Sequence, residues 1–136
     1  MRGLLVTLLT LFSLSSAIAA ENLSSRQAVV EQQLQAFAHD EDQTAYGFAA
    51  PIVQQAFPTV DIFMSMVKNG YRPVYRNTEH TFTVEAPDQF GRPAVHVLLT
   101  DENGLRWEAI YAMEQQPDGS WKIAACYLKP ATGANV

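Results

Sequence analysis

The sequence is poor in cysteine and in basic residues. Cys126 is its only cysteine, so no disulfide can form within the chain. Nine Lys and Arg residues are outnumbered by fourteen Asp and Glu residues, which gives a net charge of −5. Such a balance argues against nucleic acid or an anionic membrane surface as the main partner. The composition therefore predicts no nucleic-acid partner.

Sequence patterns typical of metal and catalytic sites are also absent. The histidines, His39, His80 and His96, form no H-x-H or H-E-x-x-H pattern, so no metal site is predicted. No G-x-S-x-G pattern and no glycine-rich phosphate loop occurs, and most acidic residues fall in predicted caps and turns. We therefore predict no catalytic residue and no cofactor. His96 lies mid-strand among apolar residues, and it is either a core histidine with a hydrogen-bond partner or a pocket acid or base.

A long apolar run occurs only at the N-terminus. Arg2 precedes apolar residues 4–14, and small residues follow them, which is the pattern of a secretory signal peptide. The run is too short for a transmembrane span. Residues 1–19 are therefore predicted to be removed by cleavage after Ala19 or Ala20. The mature chain of about 116 residues would be periplasmic or secreted, with no stable membrane anchor.

The next part of the sequence predicts helices. Ser24 and Gln27 have the spacing of a capping box, which starts a predicted helix that runs to His39. The starts of three further helices are predicted at Asp40 or Asp42, at Pro51 and at Thr59. Gly70 is predicted to end the last of these helices, since glycine commonly follows a helix C-terminus.

After Gly70 the hydrophobic period changes to two, which predicts strands. The predicted strands cover residues 80–85, 93–100, 105–115 and 121–129. Asn103-Gly104 and Asp118-Gly119 are turn signals that join the later strands as hairpins. Helices followed by an antiparallel meander predict one α+β domain over residues 21–130, with the helices on one face of the sheet. Residues 131–136 are predicted to be a flexible tail.

The two central strands are apolar on both faces. By parity, one predicted face holds His96, Leu98, Trp107, Ala109, Tyr111 and Met113, and the other holds Val95, Val97, Leu99, Ile110 and Ala112. A sheet with one covered face should alternate apolar and polar residues. Helices cover one face, so we predict that a second copy of the chain covers part of the other, forming a homodimer.

Several segments carry a family resemblance. They are QLQAF (33–37), AYGFAAP (45–51), FPTVDIFMSMV (57–67), GYRPVYR (70–76) and the strand at Trp121. These segments resemble an uncharacterised family of small Gram-negative bacterial proteins, catalogued as a domain of unknown function. The element order also resembles the nuclear transport factor 2-like superfamily of cystatin-like α+β cones. That resemblance implies N-terminal helices packed on a curved antiparallel sheet, a pocket between them, and dimers formed through the sheet.

The segment Tyr71–Arg76, YRPVYR, has two interpretations. In an extended chain its tyrosines point one way and its arginines the other, and Pro73 favours an edge strand with solvated arginines. In the alternative, one arginine turns to the pocket mouth and binds a carboxylate or phosphate, and Arg76 is the preferred candidate.

The predicted function is non-catalytic binding of a small apolar or amphipathic ligand in the pocket. Tyr75, Trp107 and Tyr111 would line this pocket, and His96 or Arg76 would supply the polar contact. One alternative is a dimeric structural or interaction module with no ligand. Another is a general acid–base enzyme of the ketosteroid isomerase type, with His96 as the base. The large aromatic set fits either core packing or a ligand site; its members are Tyr46, Phe48, Phe57, Phe63, Tyr75, Trp107 and Tyr111.

Cys126 lies in the apolar run IAACYL. This context predicts a buried and inert thiol. An intermolecular disulfide and a reactive thiol are the alternatives.

Overall fold

A computed structural model of the protein describes residues 23–131. The predicted signal peptide lies outside the described residues, as does the predicted tail after residue 131. Within this part of the chain the helices precede the strands. The helices are α1 (Ser25–Ala38), α2 (Asp42–Gly47), α3 (Pro51–Ala56), α4 (Val60–Gly70) and α5 (Arg72–Tyr75). The strands are β1 (Glu79–Phe82), β2 (Ala94–Thr100), β3 (Arg106–Gln115) and β4 (Trp121–Pro130). None of the helices between residues 23 and 131 is long and apolar enough to cross a membrane.

Local sequence signals explain where most helices begin. The Ser24 hydroxyl accepts a hydrogen bond from the Gln27 amide at 3.0 Å, and the Gln27 side chain accepts one from the Ser24 amide at 3.0 Å. This capping box starts α1, as predicted. Pro51 begins α3, and the Thr59 hydroxyl caps α4 by accepting from the Ile62 amide. The predicted aspartate cap of α2 is wrong, because Glu41 occupies the N-cap and makes no side-chain cap.

The strands form one antiparallel sheet in the order β1-β2-β3-β4. The helices pack on one face of this sheet, with α1 and α3 against β4 and with α1 and α5 against β2. This arrangement confirms the predicted α+β class. The nuclear transport factor 2-like cone stays a prediction.

The strand register corrects the predicted assignment of residues to faces. Val95 lies opposite Tyr111, and Leu99 lies opposite Trp107, so odd-numbered residues of β2 and β3 share the helix-facing side. His96 instead lies opposite Ile110 on the outer face. The predicted grouping of His96 with Trp107 and Tyr111 is therefore wrong. The turn length sets this register, and a shift of one residue would exchange the two faces.

The chain itself covers part of the outer face of the sheet. The segment between β1 and β2 folds back, and its Ala86 carbonyl lies 3.0 Å from Nε2 of His96. Arg92 in the same segment donates to the Tyr127 hydroxyl at 2.6 Å. Ala112, on this outer face, is fully buried. Part of the covering that we assigned to a second copy is thus intramolecular, and the homodimer stays a prediction.

Three five-residue turns of one geometry close the meander. They span Asp88–Arg92, Asp101–Leu105 and Gln116–Ser120. In each, the first amide donates to the fifth carbonyl at 2.7–3.0 Å, and the fourth amide donates to the first carbonyl at 2.9–3.1 Å. The fourth residue is Gly91, Gly104 or Gly119, with φ of 78°, 79° and 88°. This conformation favours glycine, and it confirms the predicted turns at Asn103-Gly104 and Asp118-Gly119.

The segment Tyr71–Arg76 is not an edge strand, so that prediction is wrong. The Tyr75 amide donates to the Tyr71 carbonyl at 3.0 Å, which forms the single helical turn α5. Pro73 lies in the first turn, where its missing N–H costs no hydrogen bond. Val74 and Tyr75 are both buried in the core. Their burial on one side of a helical turn replaces the alternation expected of a strand.

Candidate functional site

A cavity of about 420 Å³ lies between the helices and the last two strands. Most of its wall is apolar, and no Asp, Glu, Lys, Arg or His among residues 23–131 lines it. The helical side of the wall consists of Gln33, Phe37, Ala49, Ile52, Val53, Ala56, Phe57, Phe63, Met66, Val67, Tyr71 and Val74. The sheet side consists of Tyr111 and residues 123–127. Its volume is within the range of roughly 300–1,000 Å³ typical of small-molecule sites.

Hydrogen bonds from side chains hold α3 at the cavity. The Tyr46 hydroxyl donates to the Phe57 carbonyl at 2.6 Å, just after the end of α3. The Gln54 side chain on α3 donates back to the Tyr46 carbonyl at 3.1 Å. These two bonds tie α3 to α2, so the outer wall of the cavity has a defined position. Ile52 on this wall is 61% exposed, which places it at the mouth of the cavity.

Strand β4 supplies a wall of small side chains. A β-bulge interrupts the pairing of β3 with β4 between Ala112 and Met113, and Ala124 is the extra residue on β4. Ala124 and the next residue, Ala125, both line the cavity. Alanine carries only a methyl group, so neither residue brings a large side chain to this part of the wall. Small residues next to the bulge thus form this part of the wall.

Tyr111 forms the floor of the cavity and is 1% exposed. Its hydroxyl is the buried side-chain polar atom in residues 23–131 that has no hydrogen-bond partner. The Cys126 thiol lies beside it and influences its titration, but the two groups do not complete a hydrogen bond of standard geometry. Burial raises the pKa of Tyr111 well above its usual value. The phenol therefore stays protonated and can donate a hydrogen bond.

Cys126 and Tyr71 meet at the edge of β4. The Tyr71 hydroxyl donates to the Cys126 carbonyl at 3.0 Å. Burial raises the pKa of the Cys126 thiol to about 12, although the residue as a whole is only half-buried. The shift reflects the surroundings of the sulfur atom, which lies against the core. At neutral pH this thiol carries no charge.

Tyr75 and Arg76 lie away from the cavity, at the C-terminal end of α1. Arg76 donates to the Phe37 carbonyl at 2.7 Å and to the Asp40 carboxylate at 2.5 Å. The Tyr75 hydroxyl also donates to Asp40, at 3.1 Å. These bonds satisfy groups at the helix end. Arg76 thus binds a carboxylate, but the carboxylate belongs to its own chain.

Trp107 and His96 lie at two further places. The Trp107 indole donates to the Asp101 carboxylate at 2.9 Å, beside the turn between β2 and β3. Nδ1 of His96 lies 3.0 Å from a Glu108 carboxylate oxygen on the outer face of the sheet. The hydrogen bond from His96 lowers the pKa of the Glu108 carboxyl. The Ala86 carbonyl lies at the other ring nitrogen, so both nitrogens of His96 have a hydrogen-bond partner. This fits the interpretation of His96 as a structural histidine.

Of the five predicted ligand-binding residues, the structure places only Tyr111 in the cavity wall. The prediction missed Val53, Tyr71 and Ala124. Phe57 and Phe63 belonged to the aromatic set noted in the sequence, and both line the cavity. The pair Ala124-Ala125 in an otherwise bulky strand was a signal for open space that could have been used.

Within residues 23–131, no group of three or more His, Cys, Asp or Glu side chains is arranged to hold a metal ion.

Comparison with known proteins identifies one family. A family model described as a domain of unknown function (DUF4864) matches residues 19–136. No curated protein and no solved structure matches the chain.

Proposed function

The chain belongs to the DUF4864 family, and we propose that it binds a small apolar or amphipathic molecule in the cavity between α3, α4 and β4. The observation that carries this proposal is the cavity itself, about 420 Å³ in volume with a largely apolar wall. Protein interiors are packed as densely as organic crystals. A bound molecule of matching size would extend this dense packing by adding dispersion contacts with the apolar wall.

The polar groups of the cavity support a binding role over catalysis. Its hydrogen-bonding side chains are tyrosines and Gln33, and none is paired with a carboxylate or histidine that could move a proton. A general base must reach the substrate proton within hydrogen-bond distance. His96 lies on the opposite face of the sheet, where Glu108 and Ala86 engage both ring nitrogens. The ketosteroid isomerase type of reaction at His96 is therefore not favoured.

The proposal also states where the protein acts and which fold superfamily it has. Residues 1–19 have the pattern of a signal peptide, so the binding would take place in the periplasm or outside the cell. The nuclear transport factor 2-like assignment agrees with a pocket between helices and sheet. Because fold does not determine function, the proposal depends on the cavity and not on this resemblance.

The test is binding of N-phenyl-1-naphthylamine, an uncharged dye that fluoresces in apolar surroundings. Val53 is half-buried in the cavity wall on α3, and Val53→Trp should fill the cavity from a surface helix. Ile62 is 47% exposed on α4 and is not part of the wall, so Ile62→Trp is the matched control.

We expect saturable binding to the wild type and to Ile62→Trp, and at least tenfold weaker binding to Val53→Trp. Circular dichroism would verify that both variants are folded. Equal binding by Val53→Trp and the wild type, or no binding to the wild type, would refute the proposal.

A further inference from the structure

In the described part of the chain, residues 23–131, no charged side chain lies in the cavity wall to balance the charge of a ligand. Its polar side chains are Gln33 and the tyrosines, and the Gln33 amide already donates to the Ala45 carbonyl at 3.2 Å. Tyr111 and Cys126 both stay neutral at pH 7, because burial raises their pKa values. Moving an unpaired ion from water into such surroundings costs far more than moving a neutral polar group. The wall therefore discriminates against charge of either sign.

The arginines that could reach out to an anionic ligand are engaged elsewhere. Four of them pair with carboxylates of the same chain at 2.5–3.0 Å. These pairs are Arg26–Glu85, Arg72–Glu102, Arg76–Asp40 and Arg92–Asp88. An anionic ligand recognised by any of them would have to displace an internal carboxylate. None of these arginines lines the cavity.

From the uncharged wall and the internally paired arginines, we infer that the ligand class of this cavity is neutral molecules, to the exclusion of carboxylates, sulfonates and amines of the same size. The ligand is mainly apolar and carries few hydrogen-bonding groups. The Tyr111 hydroxyl at the floor lacks a partner, so an oxygen acceptor on the ligand that reaches it adds a hydrogen bond. This inference rests on the proposed function and narrows it to one chemical class.

The experiment compares probes that share one apolar part and differ in a charged group. N-phenyl-1-naphthylamine and 8-anilinonaphthalene-1-sulfonate share one ring system, and the second adds a sulfonate. Titrations use the full mature chain at pH 7, with Val53→Trp and Ile62→Trp measured in parallel. In a second arm, dodecan-1-ol, dodecanoate and dodecylamine compete with bound N-phenyl-1-naphthylamine. The concentrations stay below the solubility limit of the alcohol and the micelle concentrations of the two charged chains.

The neutral dye should bind at least tenfold more tightly than the sulfonate, and dodecan-1-ol should compete at least tenfold better than either charged chain. If the sulfonate binds as tightly as the neutral dye and Val53→Trp weakens both, the inference about charge is wrong while the proposed function stands. If no probe binds in a manner sensitive to Val53→Trp, the proposed function falls and the inference falls with it.

Discussion

The Arg76 guanidinium lies 2.5 Å from the Asp40 carboxylate and closes the C-terminal end of α1. Asp40 has a φ of 54°, in the left-handed region where a helix commonly ends. The guanidinium also lies over the Tyr75 ring, 3.8 Å from its centre. The segment YRPVYR therefore does include a carboxylate clamp, but its role is to join α1 to α5 within the fold.

Replacing Arg76 should destabilise the protein in a pH-dependent way. Arg76→Ala removes a charged hydrogen bond to the Phe37 carbonyl. This loss should lower the free energy of unfolding by about 1–2 kcal/mol. The hydrogen bond from Arg76 also lowers the pKa of Asp40 below 3.8 in the folded state. A lowered carboxyl pKa stabilises the fold above about pH 3.8, and this contribution is lost as the pH falls through the folded pKa.

In urea unfolding, the stability difference between the wild type and Arg76→Ala should therefore be largest at pH 5–7. Below pH 3.8 it should shrink to the part that comes from the Phe37 hydrogen bond. Arg72→Ala is the control, because its pair with Glu102 is exposed and should contribute little. A difference in stability that does not change with pH would show that Asp40 gains nothing from Arg76.

Two tyrosine-to-phenylalanine substitutions should change stability in opposite directions. Tyr111→Phe removes a buried hydroxyl that has no partner, so the free energy of unfolding should rise by up to about 1 kcal/mol. Tyr71→Phe removes a hydroxyl that donates to the Cys126 carbonyl. The free energy of unfolding should therefore fall by about 1 kcal/mol. Urea titrations with equal m-values would allow direct comparison. If Tyr111→Phe also destabilises, the Tyr111 hydroxyl has a partner after all.

Cys126 should react with alkylating reagents much more slowly in the folded protein than after unfolding. Burial raises the pKa of this thiol from its ordinary value of 9.0 to about 12. The thiolate, which is the reactive form, is therefore about a thousandfold scarcer at neutral pH. Iodoacetamide labelling followed by mass spectrometry should detect slow modification of the native protein and fast modification in guanidinium chloride. A short peptide containing one cysteine gives the reference rate. Native labelling as fast as that of the peptide would contradict the burial of the sulfur atom.

Gly104 and Gly70 should respond differently to alanine. Gly104 has a φ of 79° in the turn between β2 and β3, so Gly104→Ala should destabilise the protein by about 1–2 kcal/mol. Gly70 lies in the last turn of α4, and an added Cβ there meets no atom within 4 Å. Gly70→Ala should therefore be neutral or stabilise by up to about 1 kcal/mol. Thermal unfolding of the two variants beside the wild type tests this contrast.

Local sequence signals predicted the elements well because each has a local physical cause. Ser24 with Gln27 predicted the start of α1, and Asn103-Gly104 predicted a turn that needs a positive φ. Pro73 was ambiguous, since proline suits both an edge strand and the first turn of a helix. Burial of Val74 and Tyr75 decided between these structures. That burial depends on tertiary packing, which the local sequence does not encode.

The candidate site was predicted less well because it depends on register. His96 and Tyr111 were assigned to one face, yet Val95 is the residue opposite Tyr111. The difference arises from the number of residues in the turn that begins at Asp101, which the apolar pattern of the strands does not reveal. The cavity wall also joins residues that are distant in sequence, such as Val53 and Ala124. Their proximity follows from how α3 packs on β4.

Two hydrogen bonds between β4 and the segment after α2 affect how the edge of the sheet can pair with other molecules. The Ile123 amide donates to the Phe48 carbonyl at 2.9 Å, and the Ala50 amide donates to the Ile123 carbonyl at 2.8 Å. β4 is the last strand of the sheet, and unpaired edges of this kind allow strands of different molecules to join into fibrils. By occupying this edge at Ile123, the chain prevents a foreign strand from pairing continuously along β4. Ile123 thus lines the cavity and also interrupts the free edge of the sheet.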